Sequence, residues 1–434
     1  FQRRGFEARL LETDGNPLVF AELDAGADTT VLLYCHYDGQ PVDPSRWDQK
    51  SPWQPVMRSG RVEDGAPEIE GFLDLDEFGR DWRLYARTAS DDTSPIIGIL
   101  AALDALRAAG RAPAVNLKVV LDGEEEDGSP SLVPAIARYR EHLTSDLMLI
   151  LDGPIHPSNL PTVVFGARGI QTVQLTVYGP RFPLHSGHYG NWTPNPAQLL
   201  ARLLGSMKDE SGRVLIEGFY DGVEFSERDR EIMAAVPDDE EGLLRLFGIA
   251  GSDAVGSSLQ EARNHPSLNV RGLSSAWVGA DARTVVPSEA VAEIDMRLVP
   301  ETLSADLLEK LITHIRAQGW HVIERAPSER ERAQFRKLVR VHARPATEAY
   351  RTPLDDALAA RFIERLRKVT NQQPILIRTS GGTVPISPFI EALGFPALSL
   401  PIVNFDNNQH SPNENVRMGH FFDGIVSIAA ALTM

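Results

Sequence analysis

The stretch Thr30-Val31-Leu32-Leu33-Tyr34-Cys35-His36-Tyr37-Asp38-Gly39-Gln40-Pro41 decides the fold. Its first six residues form a short, continuous apolar run, the kind buried on both faces of a sheet. The run ends in a polar His-x-Asp. Working outward, residues 116–121 (NLKVVL) and 146–151 (DLMLIL) have the same texture. Between the first two runs, Ser94-Pro95 suits a helix start, with serine as N-cap and proline at the first helical position, and Gly110 suits its end. Strands separated by helices predict an α/β layer, with a mainly parallel sheet flanked by helices.

The texture changes near Ile170. Residues 171–178 (QTVQLTVY) and 290–298 (AVAEIDMRL) alternate polar and apolar side chains, as strands with one wet face do. A Pro/Gly/Asn-rich loop is expected at 179–196, a helix at 305–318 and a further strand at 338–343. After about residue 345 the first texture returns, with a helix near 354–369 and a strand at 396–403. The expected organisation is a discontinuous domain, 1–171 plus 345–434, interrupted by an inserted α+β domain at 172–344. The acidic run at 238–241 reads as a solvated helix end.

Composition narrows the function classes. The 434 residues carry 43 basic and 60 acidic side chains, a net charge of −17. Such a surface repels phosphate backbones and anionic headgroups, so neither nucleic acid nor membrane is an expected partner. One cysteine excludes a disulfide framework and a cysteine-built zinc site, and Cys35 reads as inert core packing. No apolar run approaches the roughly 18–20 residues that span a bilayer. The expected compartment is cytoplasmic. Periplasmic or secreted locations stay open because the first residue is Phe1 rather than Met.

In open parallel sheets, sites form at the carboxyl ends of strands. The ends here run into His36-Tyr37-Asp38, into Asp122-Gly123-Glu124-Glu125-Glu126-Asp127, and into Asp152-Gly153. Asp91-Asp92 follows a short strand at 83–86, and the last strand leads to His410-Ser411-Pro412-Asn413. Singly, each is a weak signal: Asp-Asp before a helix is usually a cap, and three glutamates are usually a solvated face. Gathered on one rim, the carboxylates would repel one another unless a cation sat among them. A pair of divalent metals is the simplest neutraliser, since carboxylates and imidazoles are natural ligands of zinc and its neighbours.

These residues, in this order, resemble the co-catalytic metallo-exopeptidases, the family of carnosinase, the cytosolic non-specific dipeptidases, acetylornithine deacetylase and succinyl-diaminopimelate desuccinylase. The resemblance rests on His36-Tyr37-Asp38-Gly39-Gln40-Pro41, Asp91-Asp92, Gly123-Glu124-Glu125-Glu126-Asp127-Gly128-Ser129, His185-Ser186-Gly187 and His410-Ser411-Pro412-Asn413-Glu414. It spans nearly the whole chain and lies closest to the dipeptidase branch.

The resemblance implies a zinc-exopeptidase-like catalytic domain whose insert is a lid and dimerisation domain. It implies two divalent ions, zinc first, with manganese or cobalt open. His36 and Asp152 would hold one ion, Glu126 and His410 the other, and Asp91 would bridge them, with a cis peptide between Asp91 and Asp92. Glu125 would be the general base and Asp38 the partner orienting His36. The triple glutamate leaves this register open by one residue. Arg297 and the glycine-rich Ser380-Gly381-Gly382-Thr383 would read a substrate carboxylate. His342 reads as an ordinary strand histidine. His185 would cross a twofold interface to act in the partner's site of a homodimer. The implied reaction is hydrolysis of dipeptides with a free carboxyl end. An N-acyl-amino-acid deacylase or a carboxypeptidase on the same site is the alternative. Thr93-Ser94 where the family usually has Lys-Gly, the segment Arg87-Thr88-Ala89-Ser90, and Asp127 in place of serine remove no implied ligand, but they weaken transfer of the substrate class.

Overall fold

The computed structural model describes residues 1–434. The run that opens the sequence reading forms the strand Thr30–His36, which lies inside an eight-stranded sheet. Its alternate side chains enter two different cores. Val31, Leu33 and Cys35 pack beneath the helices Thr93–Ala108, Ala357–Thr370 and Met418–Leu432. Leu32 and Tyr34 pack on the other face, with residues of Leu132–Leu143 and Ser387–Leu393. Burial on both faces explains why this strand is apolar throughout rather than alternating.

Across the sheet the strands run Glu7–Leu11, Leu18–Leu23, Asn116–Asp122, Thr30–His36, Leu147–Ile150, Ala397–Ser399, Thr162–Val164 and Ile375–Ile377. The central pairings from Asn116–Asp122 to Ala397–Ser399 are parallel. The two N-terminal strands add an antiparallel edge. This is the expected α/β fold. The parallel strands point His36, Asp122 and the start of the Asp152 loop toward one rim.

A second sheet has five strands, in the order Ser267–Ser274, Glu289–Leu298, Gly169–Tyr178, Leu338–Ala343 and His321–Ile323. All its pairings are antiparallel except the last. The helices Pro196–Gly205 and Ser304–Ala317 cover one face through Leu200, Leu203, Leu307, Leu311 and Ile315. His342 is exposed on its strand, and Cys35 is a buried free thiol.

Several sequence expectations shift. The first helix begins at Thr93, two residues before the expected Pro95; Asp92 rather than Ser94 stands at the N-cap position, and its carboxylate accepts the His36 N–H instead of capping the helix. Pro95 still falls in the first turn, where a missing N–H costs nothing. The strand expected at 396–403 stops at Ser399; Pro401 has no N–H to offer a ladder. The helix expected from 354 begins at Ala357, capped by Asp356. The 179–196 loop contains a short strand, Leu184–His185, and one helical turn, Ser186–Tyr189. In the acidic run, Asp238 is not a solvated end: its carboxylate takes a hydrogen bond from Gln260 at 2.6 Å and lies 3.3 Å from His156. No helix is long and apolar enough to cross a membrane.

Candidate metal centre and active site

Asp91 does not come from the rim of the main sheet, as the sequence suggests. It follows the strand Arg83–Tyr85 of a separate three-stranded sheet with Val56–Arg58 and Asn415–Arg417. That small sheet carries both Asp91 and the His410 loop to the main rim, since Asn415 lies five residues past His410. His410 sits in left-handed backbone, φ 59°, and the peptide between Asp91 and Asp92 is cis.

Two donor groups result. The donor atoms of His36, Asp91 and Asp152 all lie within 4.8 Å of one another, and so do those of Asp91, Glu126 and His410. Asp91 belongs to both. Its Oδ1 lies 3.0 Å from His36 Nε2, and its Oδ2 lies 3.0 Å from His410 Nε2. His410 Nε2 is also 3.2 Å from Glu126 Oε2. Asp38 faces the far nitrogen of His36 at 3.1 Å, and its other oxygen accepts the Glu126 N–H at 3.1 Å.

Electrostatics describes the same crowding. Six carboxylates (Asp38, Asp91, Asp92, Glu125, Glu126 and Asp152) share this space with two imidazoles. Burial, then the charge of Asp152, pushes the Glu125 pKa up to about 8. Burial and Asp91 raise both Glu126 and Asp152. Burial holds Asp92 well above the carboxylate range. Burial alone would lower His36, but Asp38 and Asp91 outweigh it and hold the imidazole far above its usual value. At Asp38 the His36 and Glu126 hydrogen bonds outweigh burial and lower the pKa. So much negative charge out of water calls for cations. Two sets of carboxylate and imidazole donors sharing one aspartate suit a pair of divalent metals.

The description of peptidase family M20/M25/M40 matches residues 32–434. The chain belongs to that family. It is a hydrolase, similar over 412 residues at 27% identity to the Cys-Gly metallodipeptidase DUG1 of Candida albicans, with 94% of this chain and 78% of that protein covered. Human Beta-Ala-His dipeptidase is 27% identical over 423 residues, covering 95% and 76%. Among solved structures, the M20 family metallo-carboxypeptidase Sso-CP2 from Sulfolobus solfataricus has a TM-score of 0.75 at 30% identity, covering 99% of this chain and 90% of that one.

In this M20 peptidase the three consecutive glutamates diverge. Glu124 turns away from both donor groups, and its Oε1 accepts the Asn16 N–H at 3.1 Å. Glu126 joins the second donor group, and Glu125 is half-buried within electrostatic reach of Asp152, His36 and Asp91. Arg297 meets the glycine-rich loop, its Nη1 donating to Thr383 Oγ1 at 2.8 Å. His185 is not gathered with these groups. It is exposed, its Nδ1 accepts the Gly187 N–H, and its ring lies 4.6 Å from that of His188.

Three supporting residues have no role in the sequence reading. Gln40 Nε2 donates to Glu126 Oε2 at 2.7 Å, and Gln409 Nε2 reaches Asp91 Oδ2 at 3.4 Å. The third, Glu414, is fully buried and accepts five hydrogen bonds from residues 87–91. Gln40 and Glu414 stand inside quoted motifs, and that was the available signal. Which atoms they hold is a long-range fact no motif states.

Proposed function

We propose that this peptidase hydrolyses the peptide bond of dipeptides bearing a free C-terminal carboxylate. The observation that carries the reading is the pair of donor groups sharing Asp91, with Glu125 half-buried beside them. His36 and Asp152 would hold one ion, Glu126 and His410 the other, and Asp91 both; zinc is the first choice for carboxylate and imidazole donors. When bound, such a pair supplies Lewis acidity, lowering the pKa of water and polarising a carbonyl. Glu125 has no metal to hold in this arrangement. It takes the proton from the attacking water and returns it to the leaving amine. Burial, the largest cause of its raised pKa, supports a carboxyl group able to do both. Asp38 fixes the His36 ring so that Nε2 faces Asp91.

Arg297 and residues 380–382 would receive the substrate carboxylate. Their contact through Thr383 supports this, because it seats the guanidinium on the loop. The names of the 27%-identical relatives support a dipeptide substrate. The carboxypeptidase among the solved structures favours a second reading, a carboxypeptidase on the same site.

Residues 172–344 would form an inserted lid and dimerisation domain. The strand Ser267–Ser274 is an unpaired edge of its sheet, with exposed Val270 and Leu273, followed by exposed Trp277 and Val278. Native edges are usually covered, and a second copy would cover this one. His185 would then act in the partner's site, donating to the developing oxyanion.

The deciding experiment compares dipeptides, longer peptides and N-acetyl amino acids as substrates of metal-loaded enzyme. Dipeptides turned over, with loss of activity on chelation, would bear the reading out. Preference for longer peptides would select the carboxypeptidase, and preference for N-acetyl amino acids would overturn both.

A further inference from the structure

The loop at residues 380–383 is flanked by more positive charge than one carboxylate needs. Arg297 contacts it through Thr383. Arg168 follows Ala167, which bridges Ser380 in the backbone. Its Nη2 donates to the His265 carbonyl at 2.8 Å and to Ser267 Oγ at 2.9 Å, and Ser267 is the register partner of Arg297. Arg263, two residues before His265, lies against the same loop: a methyl group at Gly381 would sit 3.8 Å from its Nε. The guanidiniums of Arg297 and Arg263 thus lie against the loop, and that of Arg168 is close enough to both to feel their charge.

None of the three is paired with a carboxylate, although the chain has a net charge of −17. Neighbouring arginines are paired: Arg378 with Asp229 at 2.5 Å, and Arg351 with Glu301. Arg168 is 8% exposed, and its Nε is buried with no partner. Burial, then the charges of Arg297 and Arg263, lowers its pKa to about 10, with Asp295 opposing. A buried guanidinium beside two like charges is costly unless an anion joins it.

We propose that Arg168 and Arg263 form a subsite for a second carboxylate, so that the preferred substrates end in aspartate or glutamate. This rests on the reading above that Arg297 and the loop take the C-terminal carboxylate. The terminal residue would then present two anions, its α-carboxylate to Arg297 and its side chain to the Arg168–Arg263 pair. Guanidinium forks match carboxylates in both charge and geometry.

The test uses isosteric pairs that differ only in charge. Metal-loaded enzyme should favour Ala-Glu over Ala-Gln, and Ala-Asp over Ala-Asn, by about tenfold or more in kcat/KM, the effect of a charge-assisted hydrogen bond. Arg263→Gln should shrink that ratio several-fold. Calorimetry supplies a readout that needs no turnover: L-glutamate should bind more tightly than L-glutamine, and Arg263→Gln should narrow the gap. Equal use and equal binding of the two partners, or an Arg263→Gln ratio unchanged from wild type, would overturn the subsite. If dipeptides fail as substrates but glutamate still binds more tightly than glutamine, the subsite stands and the dipeptidase reading falls.

Discussion

Glu414 holds Asp91 by its backbone: Glu414 Oε1 accepts the Asp91 N–H at 3.0 Å and the Ser90 N–H and hydroxyl at 2.9 Å each. Its other oxygen accepts Arg87 Nη1 at 2.6 Å and the Thr88 N–H at 3.1 Å. The carboxylate therefore fixes the segment that presents the shared aspartate, while its own chain segment presents His410. Glu414→Ala would leave the buried Arg87 charge unpaired, a cost of about 3–5 kcal/mol. Urea denaturation should show a loss of that size, accompanied by weakened metal retention. A stability within about 0.5 kcal/mol of wild type, the range of ordinary surface substitutions, would show that the clamp contributes little.

Metal stoichiometry should report the sharing of Asp91. Elemental analysis of dialysed protein is expected to give about two divalent ions per chain for wild type, the count of a two-metal site. His410→Ala or Glu126→Ala should retain about one, and Asp91→Ala close to none. An Asp91→Ala protein that keeps both ions would remove the bridging role.

Glu125→Gln should lower kcat by about a hundredfold or more, the range of a lost general base, while metal content stays at the wild-type level. Glu124→Gln should retain turnover, because Glu124 accepts the Asn16 N–H and belongs to neither donor group. If Glu125→Gln empties a metal position and Glu124→Gln abolishes turnover, the two roles are displaced by one residue.

Mixing variants tests whether His185 acts across a dimer. Neither Glu125→Gln nor His185→Ala homodimers should be efficient. At equal amounts with free exchange, half the dimers are mixed, each with one intact site, so about a quarter of wild-type activity should return. No recovery despite demonstrated exchange would place His185 outside the partner's site.

His420 should shape the acid limb of stability. Burial, then Arg417, lowers its pKa to about 4 against an ordinary 6.5. The unfolded chain therefore takes up a proton near pH 6.5 while the folded chain resists until about pH 4. The contribution is fully present above 6.5 and is lost as pH falls through that window, on the order of 3 kcal/mol in all. His420→Gln should flatten the loss of stability between pH 7 and pH 4.5, measured by urea midpoints. An unchanged slope would assign acid sensitivity to other groups.

The sequence made legible what strand ends carry. His36 closes a parallel strand, and Asp152 follows another, so their placement comes from texture alone. Asp91 was harder to place, because its strand is three residues long and pairs with the distant Asn415–Arg417. His410, in left-handed loop backbone, has no periodicity of its own, and only its place beyond the last strand and its motif point to it. The Arg168–Arg263–Arg297 convergence was not legible, since it depends on the register between strands far apart in the chain. Such pairings are decided by tertiary packing, which local propensity does not encode.

The contact between Asp91 and Glu414 closes a chain separation of 323 residues. During synthesis the early strands and first helix emerge long before that carboxylate exists. A nascent chain that has not yet reached these residues can form much of the main sheet, yet it lacks both His410 and the group that fixes the shared aspartate. Contacts of this separation also form late in folding, because the intervening loop must close first. The candidate metal centre is thus withheld until His410 and Glu414 have been made, so a polypeptide that stops short of them carries no working peptidase.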